Sequence, residues 1–109
     1  MNLNAATSME LSKVRTLCDG LVEAVDMISK KKVLIAYDAD ETINETFGKM
    51  LAYAGAIDAK ILVWIAAHVT LVHAAACAWL SDHSVGIELH LLEARCNGYQ
   101  TVFEITKGS

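Results

Sequence analysis

Two aspartates and a threonine alternate at the end of the apolar run "VLIAYDADETI", residues 33–43. Carboxylates beside a hydroxyl can supply a nucleophile, a general acid and base, and oxygen ligands for a divalent cation. The same residue types also accept the free backbone N–H groups of the first turn of a helix. Asp38 stands three residues before Glu41, which is the spacing of a capping box. The pattern therefore favours a cap, Asp38 or Asp40, for a helix that begins near Glu41, and leaves chemistry at Asp38, Asp40 and Thr42 as the alternative.

The "DADET" segment resembles the first motif of the haloacid dehalogenase superfamily, in which an apolar strand is followed by Asp-x-Asp-x-Thr and then a helix. The resemblance covers eleven residues and implies Asp38 as the nucleophile for phosphoryl transfer, Asp40 as general acid and base, Thr42 as a phosphate-positioning hydroxyl, and magnesium as cofactor. That superfamily also needs a later acidic pair that holds the metal. No such pair follows Leu80, because Asp82 stands alone and Glu88 and Glu93 fall in a strand pattern. Outside this resemblance the sequence predicts no cofactor.

Histidine and cysteine form a second group of potentially reactive side chains. His73 and Cys77 are four residues apart, so on a helix they would share a face and could meet one metal ion. A zinc site needs at least three protein ligands, and His68 would be turned well away from that face. We therefore predict no metal site. The three cysteines, Cys18, Cys77 and Cys96, are widely spaced and odd in number, which argues against disulfides and for a reducing compartment, the cytoplasm.

Length and charge limit the classes of protein. The 109 residues suit one domain, residues 1–109, whose first seven residues lack the pattern of a secretory signal and are interpreted as a frayed leader. Thirteen acidic residues against nine basic ones give a net charge of -4, which would repel a phosphate backbone. Nucleic-acid binding is therefore not expected.

Two helices and a strand are predicted in the first half of the chain. Residues 7–32 open with Thr7 and Glu10 at capping-box spacing and then show an apolar stripe at helical spacing. "VLIAYD" is continuous and aliphatic, as a buried strand is. The helical period returns over "ETINETFGKMLAYAG", where Gly55 is placed to end the helix. The stripe of the first helix consists of Leu11, Val14, Cys18, Leu21, Val25 and Ile28.

Residues 61–80 form twenty uncharged positions without glycine or proline. Three structures compete: a transmembrane helix, a strand "KILVWIA" followed by a helix in a parallel βαβ unit, and one long helix from about Ile57 to Ser81. The histidines and Thr70 weaken the membrane alternative, and no turn residue marks a strand-to-helix junction. The long helix is therefore favoured, and the membrane is not.

A long helix that is apolar on every side must be covered on every side, which this short chain cannot do alone. The sequence therefore predicts a homo-oligomer formed through residues 61–80. Trp64 and Trp79, fifteen residues apart, would lie on one side of that helix. The predicted interface consists of Trp64, Ala67, His68, Leu71, Ala75, Ala78 and Trp79.

A C-terminal hairpin completes the prediction. Asn97-Gly98 between two apolar strands is a strong hairpin signal, and a bulge near Leu91 would bring the apolar residues to one face. Glu88, His90 and Glu93 would then face water. The predicted fold is a single α+β domain of order α-β-α-α-β-β, with a three-stranded sheet and helices on one face. An α/β fold with a parallel βαβ unit is the alternative.

Function follows from what the sequence contains and lacks. It has no glycine-rich phosphate loop, no Cys-x-x-Cys pair and no nucleophile elbow. The surplus of apolar residues, 54% of the chain, favours a small non-catalytic interaction or regulatory module that acts as a homodimer and binds another protein. The alternative is a small metal-dependent enzyme of phosphoryl transfer at Asp38, Asp40 and Thr42.

Overall fold

A six-stranded mixed sheet organises the chain in the computed structural model, which describes residues 3–84, 86–95 and 98–105. The strands lie in chain order; β1 to β3 are antiparallel, β3 to β5 are parallel, and β6 is antiparallel to β5. The predicted three-stranded sheet and the order α-β-α-α-β-β are therefore wrong. The elements are α1 (Leu3–Thr7), β1 (Leu11–Cys18), β2 (Leu21–Asp26), β3 (Lys32–Glu41), α2 (Asn44–Ile57), β4 (Ile61–His68), α3 (Leu71–His83), β5 (Glu88–Arg95) and β6 (Gly98–Ile105).

The first predicted helix is instead the hairpin of β1 and β2. Cys18 pairs with Leu21 across an Asp19–Gly20 turn, in which Gly20 has a φ of 81°. A side chain at Gly20 would be strained at this φ, and its Cβ would lie 3.0 Å from the carbonyl oxygen of Tyr37. The Asp-Gly pair is a hairpin signal that overrides the helical spacing of the apolar residues.

The turn between β2 and β3 is built around the Asp26 carboxylate. Its Oδ1 accepts the backbone N–H groups of Glu10 and Ile28, and its Oδ2 accepts the Ser29 hydroxyl at 2.7 Å. Burial alone would raise the pKa of Asp26, but these hydrogen bonds outweigh it and hold the pKa below the usual value. The ionised carboxylate therefore joins this turn to the residue before β1.

Residues 61–80 do not form one helix. They divide into β4, which is buried on both faces from Ile61 to Ala66, and α3, which begins after Thr70. The strand is continuous and apolar because α2 and α3 cover one of its faces and a second apolar cluster covers the other. Thr70 is the junction signal that was missed: its side chain caps α3 by accepting the His73 N–H.

The parallel βαβ unit that the sequence offered as an alternative is present as β3–α2–β4, and β4–α3–β5 repeats it. Both helices pack on one face of the sheet, where Met50 of α2 and Cys77 of α3 join Trp64 in a buried cluster. On the opposite face Leu3 of α1, in the segment interpreted as a frayed leader, packs against Val63 and its neighbours. The carboxyl ends of β3 and β4 therefore open toward the first turns of α2 and α3.

The C-terminal strands differ from prediction in the position of the turn and in the burial of His90. Leu91 pairs with Phe103, and a register shift lies between Leu91 and Leu92, where a bulge was expected. Gly98 pairs with Arg95 instead of lying in the turn, and the other predicted turn residue, Asn97, is outside the described residues. His90, predicted to face water, is fully buried, because it pairs with Val63 of β4 on a covered face of the sheet, and its Nε2 is 2.7 Å from Glu88 Oε2. Among the described residues, no helix is long and apolar enough to cross a membrane.

Candidate functional site

Asp38 lies in a buried site between β3, β4 and α2. Its side chain is 8% exposed, and both carboxylate oxygens accept hydrogen bonds: Oδ1 from the Thr46 hydroxyl at 2.5 Å and Oδ2 from the Trp64 indole N–H at 2.9 Å. Trp64 is fully buried and stacks on Phe47 with ring centroids 5.2 Å apart. The carboxylate therefore fixes the indole under the first turns of α2.

The predicted capping role of Asp38 and Asp40 is wrong. Strand β3 continues through both residues to Glu41, and the N-cap of α2 is Ile43, which provides no side-chain hydrogen bond. Asp40 is exposed on the last part of the strand. The helix also ends two residues after Gly55, where Asp58 caps it in the left-handed conformation at a φ of 57°.

Thr42 belongs to a second polar cluster, centred on His73 at the start of α3. The His73 Nδ1 lies 2.6 Å from the Thr70 hydroxyl and 3.0 Å from the Thr42 hydroxyl, and its Nε2 lies 2.7 Å from Asn44 Oδ1. Because an amide oxygen only accepts, the Nε2–H group donates to Asn44 in this arrangement, and Nδ1 lies within hydrogen-bond distance of both threonine hydroxyls. The cluster joins the β3–α2 loop to the first turn of α3.

This hydroxyl–imidazole–amide chain has the order of a nucleophile, a base and an orienting group. The hydroxyls are, however, already engaged. Thr70 Oγ1 accepts the His73 N–H and the Thr42 hydroxyl, and Thr42 Oγ1 accepts the Thr70 N–H. The Thr70 oxygen thus has three polar partners within the network: the His73 N–H, the Thr42 hydroxyl and His73 Nδ1. The cluster therefore suits the closing of two loops better than acyl transfer.

The His73–Cys77 pair does not form a metal site. Cys77 is fully buried, and burial raises the pKa of its thiol to about 12, so it stays protonated. His73 is occupied by the two threonines and Asn44. His68 lies on β4 instead, exposed, with its Nδ1 3.7 Å from Glu93 Oε2. Across the part of the chain that the structure describes, no three His, Cys, Asp or Glu side chains are grouped to hold a metal.

The outward face of α3 exposes large apolar side chains to solvent. Leu71 is 88% exposed, Val72 73% and Trp79 62%, with exposed Ala75 between them and half-buried Ala78 beside them. The inward side of the same helix is buried, at His73, Cys77 and Ser81. We call the surface formed by Leu71, Val72, Ala75, Ala78 and Trp79 the α3 face.

The predicted interface is thus divided. Its α3 members, Leu71, Ala75, Ala78 and Trp79, lie together on the α3 face. Ala67 and His68 are exposed at the end of β4, whereas Trp64 is in the core and cannot be part of a surface. Trp64 lies on β4 and Trp79 on α3, so the prediction that they share one side of a long helix is wrong. Val72 was not predicted as part of the face.

The partners of Asp38 and His73 were not predicted from the sequence. Thr46 and Asn44 lie in the first turn of α2, and Trp64 approaches Asp38 only because β3 and β4 are parallel and adjacent. Thr70, three residues before His73, was a readable capping signal. Comparison of the chain with protein-family models, curated proteins and solved structures finds no significant match.

Proposed function

We propose that this protein is a small non-catalytic interaction module that acts as a homodimer, and that the α3 face forms the contact between the two copies. The observation that carries the proposal is the exposure of Leu71, Val72 and Trp79 on one side of one helix. Single exposed apolar residues are common on protein surfaces, but a contiguous patch of large ones marks a site of association.

The α3 face is large enough for a weak dimer. Burying a Leu or Val side chain completely is worth about 1.5–3 kcal/mol. Covering the exposed parts of Leu71, Val72 and Trp79 in two copies then contributes on the order of 10 kcal/mol. Association itself costs about 4–15 kcal/mol, so the expected dissociation constant is micromolar or weaker. A dimer of this strength responds to protein concentration, as a regulatory module can.

Two features of the polar clusters support a non-catalytic role. The Asp38 carboxylate accepts from Trp64 and Thr46, so its attack on a phosphate or coordination of magnesium would require both hydrogen bonds to open. Thr42, the proposed phosphate-positioning residue of the alternative, is 2% exposed and bonded within the His73 cluster. These contacts argue against the phosphoryl-transfer alternative.

We also propose that the dimer has a protein partner and lies in a reducing compartment. A module without chemistry acts by binding, so the dimer is proposed to bind another protein. Cys18 and Cys77 are free thiols, which fits a reducing compartment such as the cytoplasm.

Sedimentation velocity at concentrations from about 1 to 200 μM tests the dimer, because the expected dissociation constant is micromolar or weaker. The unmodified chain should shift toward a dimer as concentration rises, whereas Leu71→Glu and Trp79→Glu should sediment as monomers. Ile28→Glu is the matched control, because Ile28 is 70% exposed in the turn between β2 and β3, away from α3. A chain that stays monomeric throughout, or a control that dissociates the dimer equally, contradicts the proposal.

A further inference from the structure

We infer that the two copies pair their α3 helices antiparallel, with the two-fold axis passing beside Ala75. This inference rests on the proposed homodimer and specifies its partner, a second copy of the chain, and its geometry. It follows from the order of large and small residues along the α3 face and from the charge at the end of that face.

The α3 face has a small residue at its centre and large residues at its ends. At about 100° per residue, Leu71 and Trp79 lie within roughly 40° of the line through Ala75, on opposite sides of it. They are about 6 Å before and after Ala75 along the axis. Alanine at the crossing point lets two helix axes approach to about 8 Å. The large side chains then extend past the crossing point on either side.

Antiparallel pairing about Ala75 matches large residues with complementary neighbours. Trp79 and the partner's Val72 then lie on the same side of the line through Ala75 and at nearly the same height, so the large ring meets a smaller branched side chain. In the same way Leu71 faces the partner's Ala78, so a large side chain meets a small one. In a parallel pair each residue would lie at the same height as its own copy. The two Trp79 rings would then hold the helices apart at one end, and a gap would be left between the two Ala75 residues.

Charge selects the same orientation. Residues 71–80 contain no Asp, Glu, Lys or Arg, so the centre of the helix has no such side chain to pair with a strongly charged partner. Exposed Asp82 lies on the α3 face side, roughly 20° from the line through Ala75. In the antiparallel pair its carboxylate lies beside the N-terminal turn of the partner helix, whose free amides and dipole favour an anion. In the parallel pair the two Asp82 carboxylates would face each other and repel.

Two single cysteine variants separate the orientations. Ala75→Cys at the two-fold axis brings the two sulfurs within reach of a disulfide, which needs Cα atoms about 4.4–6.8 Å apart. Ala78→Cys places its two copies about 9 Å apart along the axis in the antiparallel pair, so it should not cross-link. The unmodified chain, which keeps Cys18, Cys77 and Cys96, is the control for cross-links through native thiols.

The experiment is mild air oxidation followed by non-reducing gel electrophoresis, on samples that sedimentation shows to contain dimer. We expect a cross-linked band for Ala75→Cys and none above the control for Ala78→Cys. A band for Ala78→Cys means parallel helices and overturns the inference. No band for either variant, with dimer present, means another register and also overturns the inference while leaving the homodimer intact. A chain without any dimer overturns both.

The effect of removing the Asp82 charge on the dissociation constant tests the orientation independently. In the antiparallel pair Asp82→Asn removes a favourable contact with each partner helix and should raise the dissociation constant by about 3- to 30-fold. In a parallel pair the same change removes a repulsion and should lower it. Asp82→Asn that tightens the dimer therefore overturns the inference, and the free chain's far-ultraviolet circular dichroism checks that the fold is unchanged.

Discussion

Truncating Trp64 should cost far more folding stability than truncating Trp79. Trp64 is fully buried, and replacement of a buried Trp by Ala costs about 3–5 kcal/mol for lost contacts and the cavity. It also removes the indole N–H that Asp38 Oδ2 accepts at 2.9 Å, which leaves a buried charged oxygen without that donor and adds about 1–3 kcal/mol. The sum of about 4–8 kcal/mol is comparable with the whole stability of a domain this size.

Trp64→Phe separates the two contributions. Phenylalanine keeps an aromatic ring against Phe47 but cannot donate to Asp38, so we expect a loss of roughly 2–4 kcal/mol, from the hydrogen bond and a smaller ring. Trp79→Ala is the matched control, because a side chain that is 62% exposed contributes little to the folded monomer. Its loss should stay within about 1 kcal/mol.

Urea unfolding followed by circular dichroism measures these free energies, at a protein concentration below that of dimer formation. If Trp64→Phe cost less than about 0.5 kcal/mol, the hydrogen bond to Asp38 would not stabilise the fold. If Trp79→Ala cost as much as Trp64→Ala, the assignment of one ring to the core and the other to the surface would be wrong.

Three further predictions concern single residues. Asp26→Asn should destabilise the fold at neutral pH, and the difference from the unmodified chain should shrink below about pH 3.8 in acid–urea titrations, because a lowered pKa stabilises only while the carboxylate is ionised. Cys77 should resist aromatic disulfide reagents at pH 8 until urea unfolds the chain, since burial raises its pKa to about 12. Calorimetry should detect no micromolar binding of magnesium at Asp38, because both of its carboxylate oxygens already accept hydrogen bonds. Micromolar binding that Asp38→Asn abolishes would contradict this prediction.

The first hairpin shows why periodicity misled the prediction. β1 is an edge strand with exposed residues from Ser12 to Thr16, so it lacks the alternation of buried and exposed positions that identifies a half-buried strand. Apolar residues at three- and four-residue spacing then resembled a helical stripe. Asp19-Gly20 was the local signal of a turn, and it was outweighed by the apparent period.

A strand was also predicted as part of a helix at residues 61–80, for a different reason. β4 is buried on both faces, so it has no alternation either, and a continuous apolar run joined it to α3. Its β-branched residues Ile61, Val63 and Ile65 favour a strand, and Thr70 is suited to cap a helix. The α3 members of the predicted interface still fall on one face, because Leu71, Ala75 and Ala78 keep helical spacing within the true helix.

The partners of Asp38 depend on long-range pairing that the motif does not encode. Ala36 pairs with Trp64 and Asp38 with Ala66 in the parallel register of β3 and β4, and this places the indole N–H beside the carboxylate. Acid and hydroxyl spacing in "DADET" is the same whether the chain ends a strand there or continues it. The two cases differ in the length of β3, and this strand extends to Glu41.

The two polar clusters account for the orientation of α3. Trp64, held by Asp38, contacts His73 edge to face with ring centroids 5.4 Å apart, and His73 is tied to Thr42 and Asn44. These contacts hold the inward side of α3 against the sheet. Residues two positions from an inward-facing residue lie about 200° around the helix, so Leu71, Ala75 and Trp79 face outward. The acids and hydroxyls that resemble catalytic groups therefore fix which side of α3 is buried, and in doing so they leave exposed the apolar side that we propose to bind a second copy.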